Sequence, residues 1–352
     1  MSIQWMDNFK GYTDQANMLD GTPWISLDGG ITDSDPDPNA PVDSIVFKPG
    51  SQSGGYTQCS RIALTTTNDK VGIAFRLWLP SLPSSSGVQP WFTFNNAANS
   101  QLYGFTVNPN GSVTIRRSGA TDFVTTTQPV FLANTWSHVE ILVDLSSGDI
   151  EFWKDGGTIA QLTVTDGTPP TGPVGIVGWA QNPPGGATLG VGYFIKDVVV
   201  YDGAGSVNNT QIGTVEVVRL NPSADVSSGW TPSTGMEDFS LLDKPGGVDD
   251  SSYIEAGDPP PAASIVELDD LPADVVSVRA LMSLVRAQKS DAGDATLQVG
   301  IKSASNDDLG TDRVISTAFT YYWDLSEVDP DTAAAWTPSA VDAAQLQMDR
   351  TS

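Results

Sequence analysis

Residues 134–156 hold the pattern that most narrows what this chain can fold into. In Asn134-Thr135-Trp136-Ser137-His138-Val139-Glu140-Ile141-Leu142-Val143-Asp144, the side chains of Val139, Ile141 and Val143 share one face of an extended strand. Ser146-Ser147-Gly148-Asp149 follows as a turn, with Gly148 free to take a positive φ. Ile150 and Phe152 carry the return strand, and Asp155-Gly156 ends it. The spacing predicts an antiparallel hairpin. The 34 Gly and 24 Pro of the 352 residues extend that reading to the whole chain. So much turn-forming residue, with abundant Thr, Val and Ser, predicts many short strands rather than helices.

Strand candidates lie on both sides of the hairpin. Before it come Trp24-Ile25-Ser26-Leu27, Ile45-Val46-Phe47, Ile62-Ala63-Leu64, Val71–Leu79, Trp91–Phe94, Tyr103–Val107 and Ser112–Arg116. In the fourth of these, Val71, Ile73, Phe75, Leu77 and Leu79 fall on one face. Asn108-Pro109-Asn110-Gly111 is a hairpin turn signal. After the hairpin come Ile159–Leu162, Val174–Trp179 and Gly192–Asp202. A Trp opening a strand, an aliphatic strand ending in Asp, a Gly turn, and an aromatic strand ending in Asp-Gly form a signature. It resembles the concanavalin A-like (laminin-G/pentraxin-like) jelly-roll superfamily, over roughly residues 1–204. The resemblance implies that the strand at Gly192–Asp202 returns beside the first one. Residues 205–210 read as a linker of Gly, Ser and Asn.

Residues 211–352 are expected to form a second, smaller antiparallel sandwich. Its strand candidates are Gly213–Leu220, Val275–Arg286, Ala295–Lys302 and Tyr321–Leu325, and Ser339–Leu346 reads as a short helix or turn. Leu220-Asn221-Pro222-Ser223-Ala224-Asp225, Trp230–Gly235, Asp249–Ile254, Asp270-Leu271-Pro272-Ala273, Lys289–Gly293, Asp329-Pro330-Asp331-Thr332 and Trp336-Thr337 occur in an order similar to a C-terminal domain of tailed-bacteriophage virion proteins. In physical terms these residues are structural, with Trp230 and Trp336 as core anchors. The fold class expected is therefore all-β, with two antiparallel sandwiches, the first a concanavalin A-like jelly roll.

The formal net charge is -25, from 17 basic and 42 acidic residues. Residues 1–205 hold 9 basic and 18 acidic residues, and the remainder holds 8 and 24, so the second part is the more acidic. Such a chain repels nucleic-acid phosphates, and no basic stripe reverses that. The charge reads as a solubilising surface or, alternatively, as a divalent-cation requirement. Asp33, Asp35 and Asp37 are the candidate calcium ligands. They do not fit an EF-hand, which needs Gly and Glu where Pro38 and Ser44 stand. An irregular calcium loop and a solvated acidic loop are the competing readings. Cys59 is the single cysteine, so no intramolecular disulfide forms, and no apolar run reaches the ~20 residues of a membrane span. Met1–Trp5 lacks the basic and apolar regions of a signal peptide.

The sequence holds no familiar catalytic constellation. Glucanases with this kind of fold set carboxylates on one strand face in a Glu-x-Asp-x-Glu pattern. No such triplet occurs here; Glu140 and Asp144 share a strand at another spacing, and they are expected to face solvent. His138 is the only histidine and is expected to pack at a core edge. There is no Gly-x-Ser-x-Gly elbow, no standard zinc set and no Walker loop at Gly185-Gly186. Trp78, Trp91, Trp153 and Trp179 are candidate sugar-stacking platforms, with burial in the core as the other reading.

Two functions are consistent with these features. The first is a non-enzymatic structural part of a tailed-phage particle, a head decoration or a head or tail fibre, contacting the host surface. The alternative is a carbohydrate-binding adhesion module recognising surface glycans. The resemblance implies a virion location after synthesis in the host cytoplasm. It also implies other virion proteins and host glycans as partners, and a homo-oligomer. Ile3, Trp5, Met6 and Phe9 read either as an arm docking on a partner or as the first strand of the jelly roll.

Overall fold

The computed structural model describes residues 2–10, 12, 18–26, 29–32, 35–37, 46–49, 60–83, 89–118, 121–182, 192–242 and 250–352. The chain is almost entirely β and divides into two compact units, one of residues 1–9 and 23–217 and the other of residues 10–22 and 218–352. The two units therefore part at 217/218 rather than within 205–210. Asp33, Ile45, Cys59 and Gly185-Gly186 lie outside the described residues.

The first unit holds strands β1 (Ile3–Asp7), β2 (Trp24–Ser26), β3 (Gly29–Thr32), β4 (Val46–Pro49), β5 (Ser60–Asn68), β6 (Lys70–Trp78), β7 (Gln89–Asn95) and β8 (Gln101–Val107). It continues with β9 (Val113–Arg117), β10 (Thr121–Thr125), β11 (Trp136–Asp144), β12 (Asp149–Lys154), β13 (Gly157–Thr158), β14 (Val164–Thr165), β15 (Val174–Asn182) and β16 (Phe194–Asp202). They form two antiparallel sheets. The nine-stranded sheet runs β13-β12-β11-β6-β16-β4-β3, with β1 also on β16 and β14 on β12. The seven-stranded sheet runs β10-β9-β8-β7-β15-β5-β2. The long-range pairings of β6 with β11 and of β15 with β5 are those of a jelly-roll sandwich.

The expected hairpin is β11–β12, paired from Val139↔Lys154 to Asp144↔Asp149. Gly148 takes φ +79°, and a side chain there would run into the carbonyl of Asp166. The N-terminal residues are the first strand of the fold and not a free arm. Trp5 pairs with Val200 and is fully buried. Ile159–Leu162 is a turn rather than a strand, because the Leu162 and Thr163 amides fold back onto the Ile159 carbonyl.

Alternation sorts each strand into a core face and an outer face. Between the sheets, Phe75 meets Phe92 at 4.9 Å and Trp179 edge-on at 5.8 Å, and Phe105 meets Phe152 at 6.2 Å. Burying rings of this size contributes roughly 1.5–3 kcal/mol each, and that burial is what chiefly holds the two sheets together.

The second unit holds β17 (Pro222–Ser227), β18 (Thr231–Pro232), β19 (Ile254–Glu255), β20 (Ser264–Leu268), β21 (Leu281–Ala287), β22 (Thr296–Ser303), β23 (Asn306–Asp308), β24 (Arg313–Val314), β25 (Thr320–Ser326) and β26 (Gln345–Arg350). A sheet of order β17-β20-β26-β22-β23, with β24 on β22, packs its Val266, Leu297, Val299 and Met348 against Tyr322 and Val285 of the β21–β25 ribbon. β26 is a central strand of this sheet. The short helix Pro338–Asp342 is capped by Thr337, whose hydroxyl accepts the Ala340 N–H at 3.2 Å. Trp336 is buried and donates its indole N–H to the Ser326 carbonyl at 3.1 Å, while Trp230 packs half-buried on the sheet core.

Candidate functional site

The outer face of the nine-stranded sheet carries the ionisable residues that the hairpin brings together. His138 and Glu140 point away from the core, opposite Val139 and Ile141. They are not solvated, because residues 212–217 cross over them. Glu140, expected to face solvent, is 1% exposed. Its Oε1 accepts the Tyr201 hydroxyl at 2.7 Å and the Ile212 N–H at 2.7 Å, and its Oε2 accepts the Gly213 N–H at 3.1 Å. His138 Nε2 accepts the Val215 N–H at 3.3 Å, and Asp197 Oδ1 accepts the Val217 N–H at 3.2 Å. Arg76 joins the two ends, at 3.4 Å from Asp197 and 3.0 Å from Glu216.

This bonding explains why Gly213–Leu220 is not a strand. The N–H groups of 212, 213, 215 and 217 are spent on side chains, so that segment forms no ladder. It also explains the titration of the cluster. Burial first, and then the Arg76 charge, push the His138 imidazole down to about 4, with Asp155 opposing. Burial raises Asp197 to about 6 against the pull of Arg76, with Glu216 adding to the rise. Burial and then Glu140 hold the Tyr201 phenol well above its usual range. Asp144 has a separate role: its carboxylate accepts the Ser146 N–H at 2.9 Å and fixes the hairpin turn.

Of the calcium candidates, Asp35 is already engaged. Its Oδ2 meets Lys196 Nζ at 3.1 Å, and its Oδ1 accepts the Asp37 N–H at 2.9 Å and the Trp136 indole N–H at 3.3 Å. A lysine thus stands where a cation would. Among the described residues no group of three or more His, Cys, Asp or Glu side chains is arranged to hold a metal. The four tryptophans proposed as platforms are all buried. Trp179 sits in the core, while Trp78 and Trp153 lie on the outer face of the nine-stranded sheet.

Trp91 belongs to the other outer face, that of the seven-stranded sheet. Phe92 and Phe94 of β7 enter the core, so Trp91, Thr93 and Asn95 face outward. Their cross-strand partners include Thr106, Gly104, Gly178 and Ala180. Gly104 is required there, since a side chain would collide with the Trp91 ring and with Gln101. The Arg116 guanidinium lies 5.1 Å above Trp91. Thr114 shares a hydrogen bond with Thr125 at 2.9 Å and accepts from Asn108 at 2.9 Å. The hydroxyls of Thr93 and Thr106 and the amide nitrogen of Gln101 are buried and have no hydrogen-bond partner among the described residues. The one charge in this row of hydroxyls, amides, an indole and a guanidinium is that of Arg116. It becomes visible only once the register of five strands is known.

A scan against family models finds no match, and a search of curated proteins finds none either. Solved structures with a loose likeness in shape include the cellulose induced protein Cip1, at 17% identity and TM-score 0.42, covering 60% of this chain and all of that one. A sialidase shares 10% identity at TM-score 0.39, over 56% of this chain and only 18% of its own length. The catalytic domain of a β-glucanase of family GH131 from Podospora anserina shares 12% at TM-score 0.38, over 58% of this chain and 97% of that one. Galectins, the carbohydrate-binding module CBM66 from Bacillus subtilis and an alginate lyase of family 7 also match. None of these findings points to a phage particle, and the virion reading of the second unit has no support from them. The expectation that the chain is not an enzyme is corrected. It rested on the missing triplet of one hydrolase group, whereas a sialidase, a glucanase and a lyase all occur among these neighbours.

Proposed function

We propose that the first unit binds carbohydrate through the outer face of its seven-stranded sheet. The side chains support this reading, independently of the weak likeness to galectins. The observation that carries it is the pair of buried hydroxyls, Thr93 and Thr106, without partners among the described residues and beside Trp91, Asn95 and Arg116. Buried polar groups in folded proteins are nearly always hydrogen-bonded, to protein, water or ligand. A sugar, with its many hydroxyls and its apolar ring face, matches an array of hydroxyl, amide, guanidinium and indole groups.

The test is a glycan array probed with the full-length protein, followed by titration calorimetry on the hits. Each glycan is also assayed for cleavage after incubation. Thr93→Val and Thr106→Val remove hydroxyls that bond nothing among the described residues, so the unfolding midpoint should hold or rise. Glycan affinity should fall about tenfold in each, the loss expected for one net hydrogen bond. A full panel without binding, or hits unaffected by both substitutions, would refute the assignment.

A further inference from the structure

Four register pairs place a single row of residues straight across the seven-stranded sheet. Arg116 of β9 stands opposite Gly104 of β8, Gly104 opposite Thr93 of β7, Thr93 opposite Gly178 of β15, and Gly178 opposite Arg61 of β5. Residues paired across a sheet share a face, so the row lies on the outer face with a guanidinium at each end. Four strand spacings separate the two arginine backbones by about 19 Å. Between them stand two glycines and one threonine, none of them charged.

The charge of this face departs from that of the chain. Acidic residues outnumber basic ones 42 to 17 overall. On the paired strands β2, β5, β7, β8, β9, β10 and β15, the outer-face charges are Arg61, Arg116 and Asp122. Arg61 is tied to an uncharged group, its Nε donating to Ser26 Oγ at 2.9 Å. Arg116 rests on Trp91 and pairs with Asp122 at 2.7 Å. Asp122 keeps 60% of its side chain in solvent, and an ion pair so exposed contributes little. A ligand carboxylate or sulfate can therefore take its place on the guanidinium, with the bidentate geometry that arginine favours. Repulsion from acidic residues elsewhere on the chain is screened beyond about 8–10 Å at physiological salt.

We propose that the glycan recognised on this face is an acidic one, a polysaccharide carrying carboxylate or sulfate groups that are read at two places, Arg61 and Arg116. This rests on the carbohydrate-binding reading above and adds to it the class of sugar. The ligand runs across the strands, so that acidic groups several rings apart reach the two ends of the row.

The experiment compares a uronic-acid oligosaccharide series with the same oligosaccharides after reduction of their carboxyl groups to alcohols. Full-length protein is titrated with both at low and at high salt. The acidic form should bind about tenfold tighter at low salt, with the gap closing as salt rises. Arg61→Gln should remove about half of that gap while leaving the neutral form unchanged, and Arg116→Gln should weaken the acidic form by more than the neutral one. Asp122→Asn should move the other way and raise affinity for the acidic form, a gain that misfolding cannot produce. Equal binding of both forms, or acidic binding indifferent to all three substitutions, would overturn the acidic-glycan proposal. If neutral glycans bind and are lost in Thr106→Val, the carbohydrate reading stands without it. If neither the array nor this series binds, both fall.

Discussion

His138 and Asp197 hold the same segment, residues 212–217, and their burial shifts them in opposite directions. The histidine is favoured neutral, near pKa 4 in the fold against about 6.5 when unfolded. Its contribution is complete above pH 6.5 and is lost as pH falls toward 4. The depression amounts to about 3 kcal/mol at most. Asp197 is disfavoured as a carboxylate, near 6 in the fold against 3.8 unfolded. Its contribution is complete below 3.8 and is lost as pH rises through 6, again by about 3 kcal/mol at most. Between pH 6.5 and 4 the two slopes oppose each other, so the first unit of the natural protein should change little in stability. His138→Gln keeps an acceptor for the Val215 N–H but cannot take up a proton. It leaves the Asp197 slope alone, and the first unit should gain up to about 3 kcal/mol on going from pH 6.5 to 4. Asp197→Asn should lose a similar amount over the same range. Hydrogen exchange of the β6 and β11 amides, corrected for intrinsic rates, reads the first unit without reporting on the second. A natural protein that loses stability as steeply as Asp197→Asn would refute the compensation. So would parallel profiles for the two variants.

Glu140→Ala should cost the first unit about 3–5 kcal/mol, because it strands the Tyr201 hydroxyl and the Ile212 and Gly213 amides, and denaturant unfolding followed at the β11 amides measures it. A fragment of residues 1–204 lacks those amide donors. It should unfold at a lower midpoint than a fragment of 1–217, and equal midpoints would show that 212–217 adds nothing. Asp324→Asn should stabilise the second unit at pH 7 by roughly 1–2 kcal/mol after allowance for solvent screening. Burial and then Asp308 lift Asp324 to about 6, so its carboxylate strains the fold above that pH and not below 3.8. The gain should vanish at pH 4, as read by exchange of the β25 amides.

What can be read in the sequence follows from how far apart the interacting residues lie. The β11–β12 hairpin is legible because its period-two pattern and its Gly148 turn sit close together in the chain, and strand alternation needs nothing else. The strand at Gly192–Asp202 is legible from its own residues, but its return beside the first strand is legible only through the resemblance. Glu140 reads as solvent-facing because the groups that bury it, Ile212 and Gly213, stand 72 and 73 positions later. Alternating Val215 and Val217 imitate a strand, but their amides go to imidazole and carboxylate acceptors that no local pattern reveals. Val275–Arg286 imitates a longer strand than it forms: pairing with β25 begins only at Leu281, and Val276 stands in solvent. Tryptophans mislead in another way, since a large ring suits a core and a sheet's outer face equally, and only the register separates Trp179 in the core from Trp91 on the outer face. The row from Arg116 to Arg61 joins residues from five strands, none of which marks the others in sequence. Sites made by sheet register stay hidden until the strands are paired, and a substitution that shifted β7 by one residue would bury Trp91 and Thr93 in the core while turning Phe92 and Phe94 outward.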